Sequence, residues 1–251
     1  MTLVLCAAGV ASGCATTGTG TIDDPTSHDQ IDPFEDFNRK IYAFNEGLDQ
    51  HLIKPIAIRY VDITSEPVRV GVGNFFNNIN YINVIVNSSL QGKLDQSLSD
   101  LFRFLFNSTL GVAGIFDVAS DMGLKEHRED LGQTFAVWGI AQGPYLTLPL
   151  FGSSTGRDAP DIMTSAYFNP LYYLGMAIYL PTKSFDIINQ RARLLKASSI
   201  RDVAALDGYS FNREAYLQQR RNLIYDGYPP PENYDDFFND DFFEMDPEGE
   251  F

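Results

Sequence analysis

Several segments of the chain carry wide apolar helix faces, yet none is an uninterrupted apolar run long enough to cross a bilayer. A spanning helix needs about 20 consecutive, mostly apolar residues. The two most apolar segments, 132–156 and 166–181, are each interrupted by glycine and proline. The chain is therefore predicted to be mainly helical, with apolar faces that are either buried in a core or in contact with lipid.

The first helix is predicted to begin near Asp32. Asp32 and Glu35 form a variant of the capping box, and Pro33 takes the first helical position. Pro55 is expected to end this helical region, because proline lacks the backbone N–H that a helix interior uses. Between these limits, apolar residues recur at spacings of three and four along one helix face, at Phe34, Phe37, Ile41, Phe44 and Leu48.

Two further helices are predicted at about 67–90 and 94–110. The first has a wide apolar face with several asparagines among the hydrophobic residues. The second leaves little of its circumference polar, so that it is either deeply buried or touches lipid. Gly111 and Gly114 are expected to end it, and a short turn of helix is expected at 116–120.

Extended structure is expected between positions 134 and 151. Two apolar runs, 134–140 and 145–151, flank the segment 141–144 and predict a small β-hairpin. Pro149 limits the second strand to an edge. The rest of the chain is predicted to be helical at 159–168, 171–180 and 182–226, with a break at Asp207-Gly208.

Charge and cysteine content exclude several classes of function. The formal net charge of the 251 residues is −15, which argues against a nucleic-acid partner, because binding to phosphates draws on clustered lysine and arginine. Both cysteines, Cys6 and Cys14, lie near the N-terminus, so the rest of the sequence has neither a disulfide nor a thiolate metal site. The sequence has no histidine spacing typical of a metal site and no nucleotide-binding motif, and we predict no metal and no cofactor.

The N-terminal segment resembles the end of a bacterial lipoprotein signal peptide, in which small residues precede a cysteine that becomes lipidated. Here that cysteine is Cys14, although Ala11 stands where leucine is usual and the basic n-region is missing. We therefore expect the true precursor to begin upstream. The predicted organisation is a signal peptide at 1–13 and a lipidated cysteine with a flexible linker at 14–31. The alternative is a disordered apolar segment with an incidental cysteine.

One motif suggests catalysis. Residues 152–156 fit the G-x-S-x-G nucleophile elbow of lipases, with Ser154 as the nucleophile. In that fold the histidine base follows the serine in the chain, whereas all three histidines of this sequence precede Ser154. We therefore predict that the protein is not an enzyme. Segment 152–156 is interpreted as a turn, and the charged segment 125–130 as a solvated polar loop.

The C-terminal segment 229–251 differs in composition from the rest, because it contains nine acidic residues and no lysine or arginine. It includes the near-repeat YDDFF and NDDFF. We expect a solvated, disordered tail. The alternative is an acidic and aromatic motif that docks on a basic groove of a partner.

Five blocks, in order along the chain, resemble the MlaA/VacJ lipoproteins. They are DPFEDFNRKIYAFNEGLD from position 32, VGNFFNNI from 72, RFLFNSTLGVAGIFDVAS from 103, EDLGQTFAVWGIAQGPYLTLPLFGSSTGRD from 129, and REAYLQQR from 213. The resemblance covers a domain at 32–228. The positions that carry the family motifs are Asp32, Pro33, Asn38, Arg39, Arg103, Asn107, Gly111, Asp117, Gly132, Gly143, Pro144, Tyr145, Arg157 and Asp158.

The resemblance implies a mainly α fold, in which a ring of amphipathic helices lies in one membrane leaflet around a central channel, with a short β-hairpin. It implies an outer-membrane lipoprotein, anchored by Cys14 and embedded in the periplasmic leaflet, that removes mislocalised phospholipids from the outer leaflet. Implied partners are phospholipids, a trimeric porin and a periplasmic lipid carrier of an inner-membrane ABC transport system. Candidates for channel lining or helix packing are Phe44, Asn45, Asn74 and Phe75.

Three alternatives to this interpretation remain. The first is a soluble periplasmic helical domain with a large core, because periodicity alone does not separate it from helices lying in a leaflet. The second is a lipid-hydrolysing enzyme that uses Ser154, and the third is a structural lipoprotein associated with porins.

Overall fold

The computed structural model describes residues 32–230, so that Cys14, the predicted signal peptide and linker, and all but the first two residues of the acidic segment lie outside the described residues. The described chain is mostly helical with one antiparallel hairpin, which confirms the predicted fold class. The helices are α1 (Glu35–Leu48), α2 (Lys54–Ile63), α3 (Glu66–Leu90), α4 (Leu94–Thr109), α5 (Val118–Asp121), α6 (Leu131–Val137), α7 (Asp161–Tyr167), α8 (Met176–Ala204) and α9 (Gly208–Ile224).

The helical region that begins with α1 continues past Pro55, so the prediction that it ends there is wrong. A π-helical segment, Asp49–Ile53, joins α1 directly to α2. Pro55 lies in the first turn of α2, so its missing N–H removes one backbone hydrogen bond at the junction with the π-helical segment. The wider π turn shifts the helical register at this point, so that one helical stretch continues to Ile63.

The capping box predicted at the start of α1 is also absent. No side chain caps this helix, and Phe34 is its N-cap residue. The Asp32 carboxylate is buried instead, and it accepts hydrogen bonds from Asn38, Tyr209 and Arg213. These partners outcompete the backbone N–H groups of the first turn, because charged and buried hydrogen bonds are the stronger ones.

The predicted hairpin exists, but only one of its strands was assigned correctly. Strand β1 (Tyr145–Leu148) pairs antiparallel with β2 (Gly152–Thr155), and Pro149 lies in the turn between them. Segment 152–156 is therefore mainly strand and not the predicted turn. The first predicted strand, 134–140, is instead mostly helix α6, which Asp130 caps by accepting a 2.9 Å hydrogen bond from the backbone N–H of Gln133.

The second half of the chain contains one long helix where the sequence predicted two. A 3₁₀ turn, Pro170–Leu174, precedes α8, and α8 continues through Pro181. Pro181 lies in the second turn of α8, so that only one hydrogen bond near the helix end is lost. The predicted break at Asp207-Gly208 is confirmed, and the Asp207 carboxylate accepts from the backbone N–H of Tyr209 at 3.1 Å to cap α9.

The helices are arranged around α3 and α8. Helix α3 contacts α4 and α8, α8 also contacts α2, and the hairpin lies against α1 and α9. A bidentate ion pair between Arg191 and Asp49, with N–O distances of 2.7 and 2.8 Å, joins α8 to the π-helical segment. Across residues 32–230, no helix combines the length and the apolar character needed to cross a membrane.

The loop that follows α4 has an unusual backbone. Val112, Ala113 and Gly114 all have positive φ angles, of 53°, 58° and 89°, and a β-branched residue such as Val112 rarely adopts this conformation. A Cβ atom at Gly114 would overlap the Asn78 side chain of α3. The loop therefore needs glycine at this position for two reasons, backbone conformation and space.

We expect Gly114→Ala to lower the free energy of unfolding by about 2–4 kcal/mol, since the left-handed backbone costs about 1–2 kcal/mol and overpacking against Asn78 adds about 1–3 kcal/mol. Gly123→Ala is the matched control, because Gly123 has φ 85° and open space around its Cβ position. It should lose only about 1–2 kcal/mol. Urea unfolding followed by circular dichroism measures both, and equal losses would show that the Asn78 contact contributes nothing.

Candidate functional site

The polarity of the described region is largely inverted relative to an ordinary soluble domain. Its most buried side chains are mainly polar or charged, and Arg103 and Gln133 are each only 1% exposed. Many large apolar side chains are exposed instead, including a stripe along α4 formed by Leu94, Leu98, Leu101, Phe102 and Leu105. Soluble monomers rarely expose large contiguous apolar patches, and such patches mark contact with membranes or other proteins.

Apolar and aromatic side chains are also exposed in three loops. The strained loop after α4 exposes Leu110, Val112, Ile115 and Phe116, and the hairpin turn exposes Leu150 and Phe151. Around the 3₁₀ turn, the exposed rings of Tyr167, Tyr172 and Tyr173 contact one another edge to face. Tyrosine has an apolar ring and a polar hydroxyl, which suits a boundary between hydrocarbon and water. We call these exposed side chains, together with the α4 stripe, the apolar exterior.

The interior is held by three clusters of buried polar groups, and the first is centred on Arg103 of α4. Its guanidinium donates two hydrogen bonds to Asp117, at 2.9 and 3.0 Å, and one to the Tyr81 hydroxyl at 2.9 Å. Asn107 also donates to Asp117, at 2.9 Å. Burial raises the pKa of Tyr81 to about 12 although Arg103 acts in the opposite direction, so the phenol stays neutral. Gly111 lies beside this cluster.

A side chain at Gly111 would overlap two backbone carbonyl oxygens, that of Asn107 in α4 and that of Phe116 in the following loop. The close approach of these backbone segments therefore explains why glycine occupies this position.

The second cluster joins the hairpin and α9 to the start of α1. Asn38 donates to the Asp32 carboxylate at 2.8 Å and to the Tyr145 carbonyl at 3.0 Å. Its own side-chain oxygen accepts from the backbone N–H of Thr147. Arg213 completes the cluster, with 3.2 Å between its Nη1 and Asp32 Oδ2. Asn38 thus acts as an additional hydrogen-bonding partner for strand β1.

Two other motif residues lie at the edge of this second cluster. Arg39 is half-exposed; it pairs with Glu35 at 2.7 Å and with Asp207 at 2.8 Å. Its guanidinium lies 4.4 Å from the centre of the Tyr209 ring. Pro33 is exposed in the turn before α1.

The third cluster is centred on Arg220 of α9, which bonds to Asp130 and, at 2.9 Å, to Asp158. The Tyr216 hydroxyl donates to Asp158 at 2.8 Å. Burial acts to raise the pKa of Asp130, but Arg220 and the N–H of Gln133 outweigh it and hold that pKa below its usual range. The cluster therefore keeps an ionised carboxylate inside the protein.

Other motif residues surround the Arg220 cluster. A Cβ atom at Gly132 would overlap Asp158. Arg157 is buried beside Asp158 and donates to the Ile140 carbonyl at 3.3 Å. Gly143 has φ 69°, and the Pro144 carbonyl accepts from the backbone N–H that follows β2. Most family-motif positions therefore belong to the three buried clusters or to the turns that close around them.

The candidates for channel lining lie elsewhere. Asn45 donates to the Leu148 carbonyl and accepts from the N–H of Leu150, both at 2.9 Å, so that it holds the hairpin turn. Asn74 donates to the Ile115 carbonyl at 3.2 Å. Phe44 is exposed, and the Phe75 ring lies edge to face against a neighbouring ring of α3. A channel role for these four residues stays a prediction.

A polar cavity of about 160 Å³ lies between α3, the 3₁₀ turn and α8. Its lining includes Asn77, Asn80, Asn169, Lys183, Asp186 and Gln190. An ion pair of 2.9 Å between Lys183 and Asp186 lies in its wall, and Gln190 donates to the same carboxylate at 2.9 Å. The cavity therefore offers one positive and one negative charge together with neutral amides.

The cavity is part of a longer polar strip between the two helices. The α8 residues follow spacings of three and four, which places them on one face, and they oppose a similar face of α3. A Cβ atom at Gly73 would lie only 2.7 Å from Nη1 of Arg193, so the two helices approach closely there. We call this strip the polar seam; it consists of Gly73, Asn77, Asn80, Lys183, Asp186, Gln190 and Arg193.

The α8 side of the polar seam was not predicted from the sequence. Only a helix was predicted at 182–226, with no role for its charged residues. The spacing of Lys183, Asp186, Gln190 and Arg193 was the available signal. A polar helix face normally points to water, so the spacing alone does not reveal that it faces another helix.

The segment 125–130 is not a fully solvated loop, and this prediction is wrong for its second half. Glu129 is buried and accepts hydrogen bonds from Gln91, Lys93 and Gln96. His127 lies 2.9 Å from the buried Asp100. Within residues 32–230, no group of three histidine, cysteine or acidic side chains could hold a metal ion.

Ser154 has no catalytic surroundings in the described chain. It is buried in β2, and its hydroxyl donates to the carbonyl of the next residue at 3.4 Å. His51 bonds to the Gly47 carbonyl and His127 to Asp100, so neither described histidine is hydrogen-bonded to this serine. A nucleophile elbow needs an exposed serine next to a base.

We expect Arg103→Met to lower the free energy of unfolding by about 3–5 kcal/mol, because Asp117 and the Tyr81 hydroxyl lose their shared donor inside the protein. Arg59→Met is the matched control, since Arg59 forms an exposed 3.7 Å pair with Asp62 and should change stability by less than about 1 kcal/mol. Denaturant unfolding curves measure both. Similar losses in the two variants would contradict a structural role for the Arg103 cluster.

Comparison with known proteins identifies the family. The MlaA lipoprotein family profile matches residues 30–223. The chain is 34% identical over 219 residues to the intermembrane phospholipid transport system lipoprotein MlaA of Escherichia coli K12, covering 86% of this chain and 84% of that protein. It is 39% identical over 195 residues to an uncharacterized protein of Rickettsia bellii, covering 77% and 76% of the two chains.

A solved structure supports the same assignment. It comes from work on the structural basis for maintenance of bacterial outer membrane lipid asymmetry, and it matches with a TM-score of 0.69 at 30% identity. The match covers 77% of this chain and 98% of the other. The resemblance drawn from the five sequence blocks is confirmed: this chain belongs to the MlaA lipoprotein family.

Proposed function

We propose that this protein is a lipoprotein of the bacterial envelope that removes mislocalised phospholipids from the outer leaflet of the outer membrane and passes them to a periplasmic carrier, which maintains lipid asymmetry. The observation that carries the proposal is the inverted polarity of the fold, with buried charge clusters and a polar seam inside an apolar exterior. The free energy of such a molecule falls when its apolar exterior moves from water into hydrocarbon.

The proposed mechanism follows from the cost of moving a polar headgroup. The hydrocarbon core is about 30 Å thick, and a charged group inside it is expensive unless polar groups surround it. A polar seam next to an apolar surface lowers this cost, because the headgroup follows the seam while the acyl chains stay in lipid. No covalent bond changes in this process, so the protein needs no nucleophile.

The proposed placement is in one leaflet. The apolar exterior includes a stripe of α4, a strained loop, a hairpin turn and a 3₁₀ turn. Irregular backbone at membrane depth is tolerated where protein or a water-filled cavity covers its polar groups. The buried clusters supply that cover. We propose the periplasmic leaflet of the outer membrane, with the amphipathic helices forming a ring around a central channel.

The proposed partners follow from the relatives and from the sequence resemblance. The names of the E. coli relative and of the solved structure refer to intermembrane phospholipid transport and outer-membrane lipid asymmetry, which supports phospholipids and a transport system as partners. The resemblance drawn from the sequence adds a trimeric porin and a soluble carrier of an inner-membrane ABC system. In the proposed organisation, 1–13 is the signal peptide, Cys14 begins a tether ending at 31, 32–228 is the transport domain, and 229–251 is an acidic tail.

We expect deletion of the gene to raise the amount of phospholipid in the outer leaflet, and both the wild-type protein and Ser154→Ala to reverse the rise. The expected result for Ser154→Ala follows from the burial of this serine in β2 and from the absence of a histidine partner in the described chain. Labelling of surface-exposed phospholipid in intact cells is the measurement.

Two outcomes of this experiment would contradict the proposal. No rise on deletion would favour a structural lipoprotein associated with porins. Failure of Ser154→Ala to complement, at normal protein abundance, would favour a lipid-hydrolysing enzyme.

We expect Cys14→Ala to be lost from the outer-membrane fraction, because the lipid on this cysteine is proposed to direct sorting and to tether the domain. Cys6→Ala is the matched control and should fractionate like the wild type. Membrane fractionation with immunoblotting measures both. Normal outer-membrane insertion of Cys14→Ala would count against lipidation at this position.

A further inference from the structure

We infer that the cavity between α3 and α8 is a headgroup site that prefers a zwitterionic phosphate–ammonium head to a purely anionic one. The inference rests on the proposed function, since it assumes that phospholipids enter the polar seam. The feature that carries it is the pair of opposite charges, Lys183 and Asp186, in one cavity wall.

The two charges have different exposures. The Asp186 side chain is 7% exposed and that of Lys183 is 46% exposed. Their 2.9 Å ion pair and the hydrogen bond from Gln190 hold the carboxylate in place. The ammonium group, on a flexible stem, is the more accessible of the two charges, and the carboxylate is the fixed and less accessible one.

Both groups keep unused hydrogen-bonding capacity. An ammonium group has three N–H donors, and one N–H of Lys183 donates to Asp186. A carboxylate has about four acceptor sites. Asp186 accepts one hydrogen bond from Lys183 and one from Gln190, so about two of its acceptor sites stay open. A headgroup phosphate can thus accept from Lys183 while a headgroup ammonium donates to Asp186.

The rest of the lining is neutral. Asn77 and Asn80 are exposed to the cavity, and within residues 32–230 neither side-chain amide hydrogen-bonds to another protein group. They can therefore donate to phosphate oxygens. Tyr179 contributes an aromatic ring to the same lining, and such a ring attracts a cation at its face. The two asparagines thus complement the phosphate of a head, and the tyrosine ring complements its ammonium group.

Size and surroundings are consistent with a small head. The cavity volume of about 160 Å³ is well above the roughly 10–15 Å³ that one water molecule requires, so the cavity admits a group of several heavy atoms. Met176, Ile178 and Leu180 are exposed in the part of α8 that also contains the lining residue Tyr179, and they offer an apolar surface for acyl chains. A head with a phosphate and no ammonium gives Asp186 no positively charged partner, only neutral hydroxyl donors at most, and places a second negative charge near it, which is unfavourable.

The experiment uses the full-length purified protein in detergent micelles. Phosphatidylethanolamine and phosphatidylglycerol with identical acyl chains compete with a fluorescent phospholipid. The wild type should bind phosphatidylethanolamine about fivefold to tenfold more tightly. Asp186→Asn should lose this preference, and Asp186→Glu should retain part of it. Lys183→Gln should weaken binding of both lipids by about fivefold. Asp62→Asn, at an exposed pair outside the cavity, is the control and should behave like the wild type.

A second measurement changes the ligand and leaves the protein intact, so that a folding defect in a variant cannot obscure the result. Phosphatidylethanolamine that is acetylated on its nitrogen keeps the phosphate and loses the positive charge. The wild type should bind it about as weakly as phosphatidylglycerol. Equal binding of the acetylated and native lipids would overturn the inference.

Other outcomes separate this inference from the proposed function. Equal affinity of the wild type for the two competing lipids, or an unchanged preference in Asp186→Asn, would overturn the selectivity alone if gene deletion still raises outer-leaflet phospholipid. If the protein binds no phospholipid and deletion has no effect on the outer leaflet, the proposed function fails together with the inference.

Discussion

Buried charge pairs hold this fold together, because many of the apolar side chains that would fill a core elsewhere point outward. Arg103, Arg213 and Arg220 each join separate elements through carboxylates or hydroxyls. The attraction within a buried pair roughly offsets its desolvation, whereas an unpaired buried charge costs several kcal/mol. Packings that separate these pairs are therefore disfavoured, and we infer that the pairs specify the helix arrangement more than they increase its stability.

This interior explains how an apolar exterior and a polar seam coexist in a small domain. Side chains of α4 that face away from the clusters, such as Leu98 and Phe102, are exposed, while Arg103 and Asn107 face inward. The seam between α3 and α8 adds further polar groups, which line the cavity. Hydrocarbon and a hydrated headgroup can therefore meet the same helices on different faces, as lipid movement requires.

Local patterns predicted the boundaries of two long helices to within two residues, but not those of α8. The helices expected at 67–90 and 94–110 are Glu66–Leu90 and Leu94–Thr109, because spacing along the chain determines which residues share a face. Prediction was wrong where a distant partner decided the outcome. Asp32 bonds to Tyr209 and Arg213 instead of capping α1. A local cap decided another case: the apolar run 134–140 has the composition of a strand, but most of it belongs to helix α6, which Asp130 caps.

The sequence by itself determined the family, the mainly helical class and the lack of an uninterrupted spanning segment, since these depend on residue order and local periodicity. Only the tertiary structure decided that polar residues are buried and apolar ones exposed, because helical spacing identifies two faces but not which of them faces inward. It also brought Asn77 and Asn80 next to Lys183 and Asp186. These residues are about one hundred positions apart, and only the packing of α3 against α8 makes them one cavity.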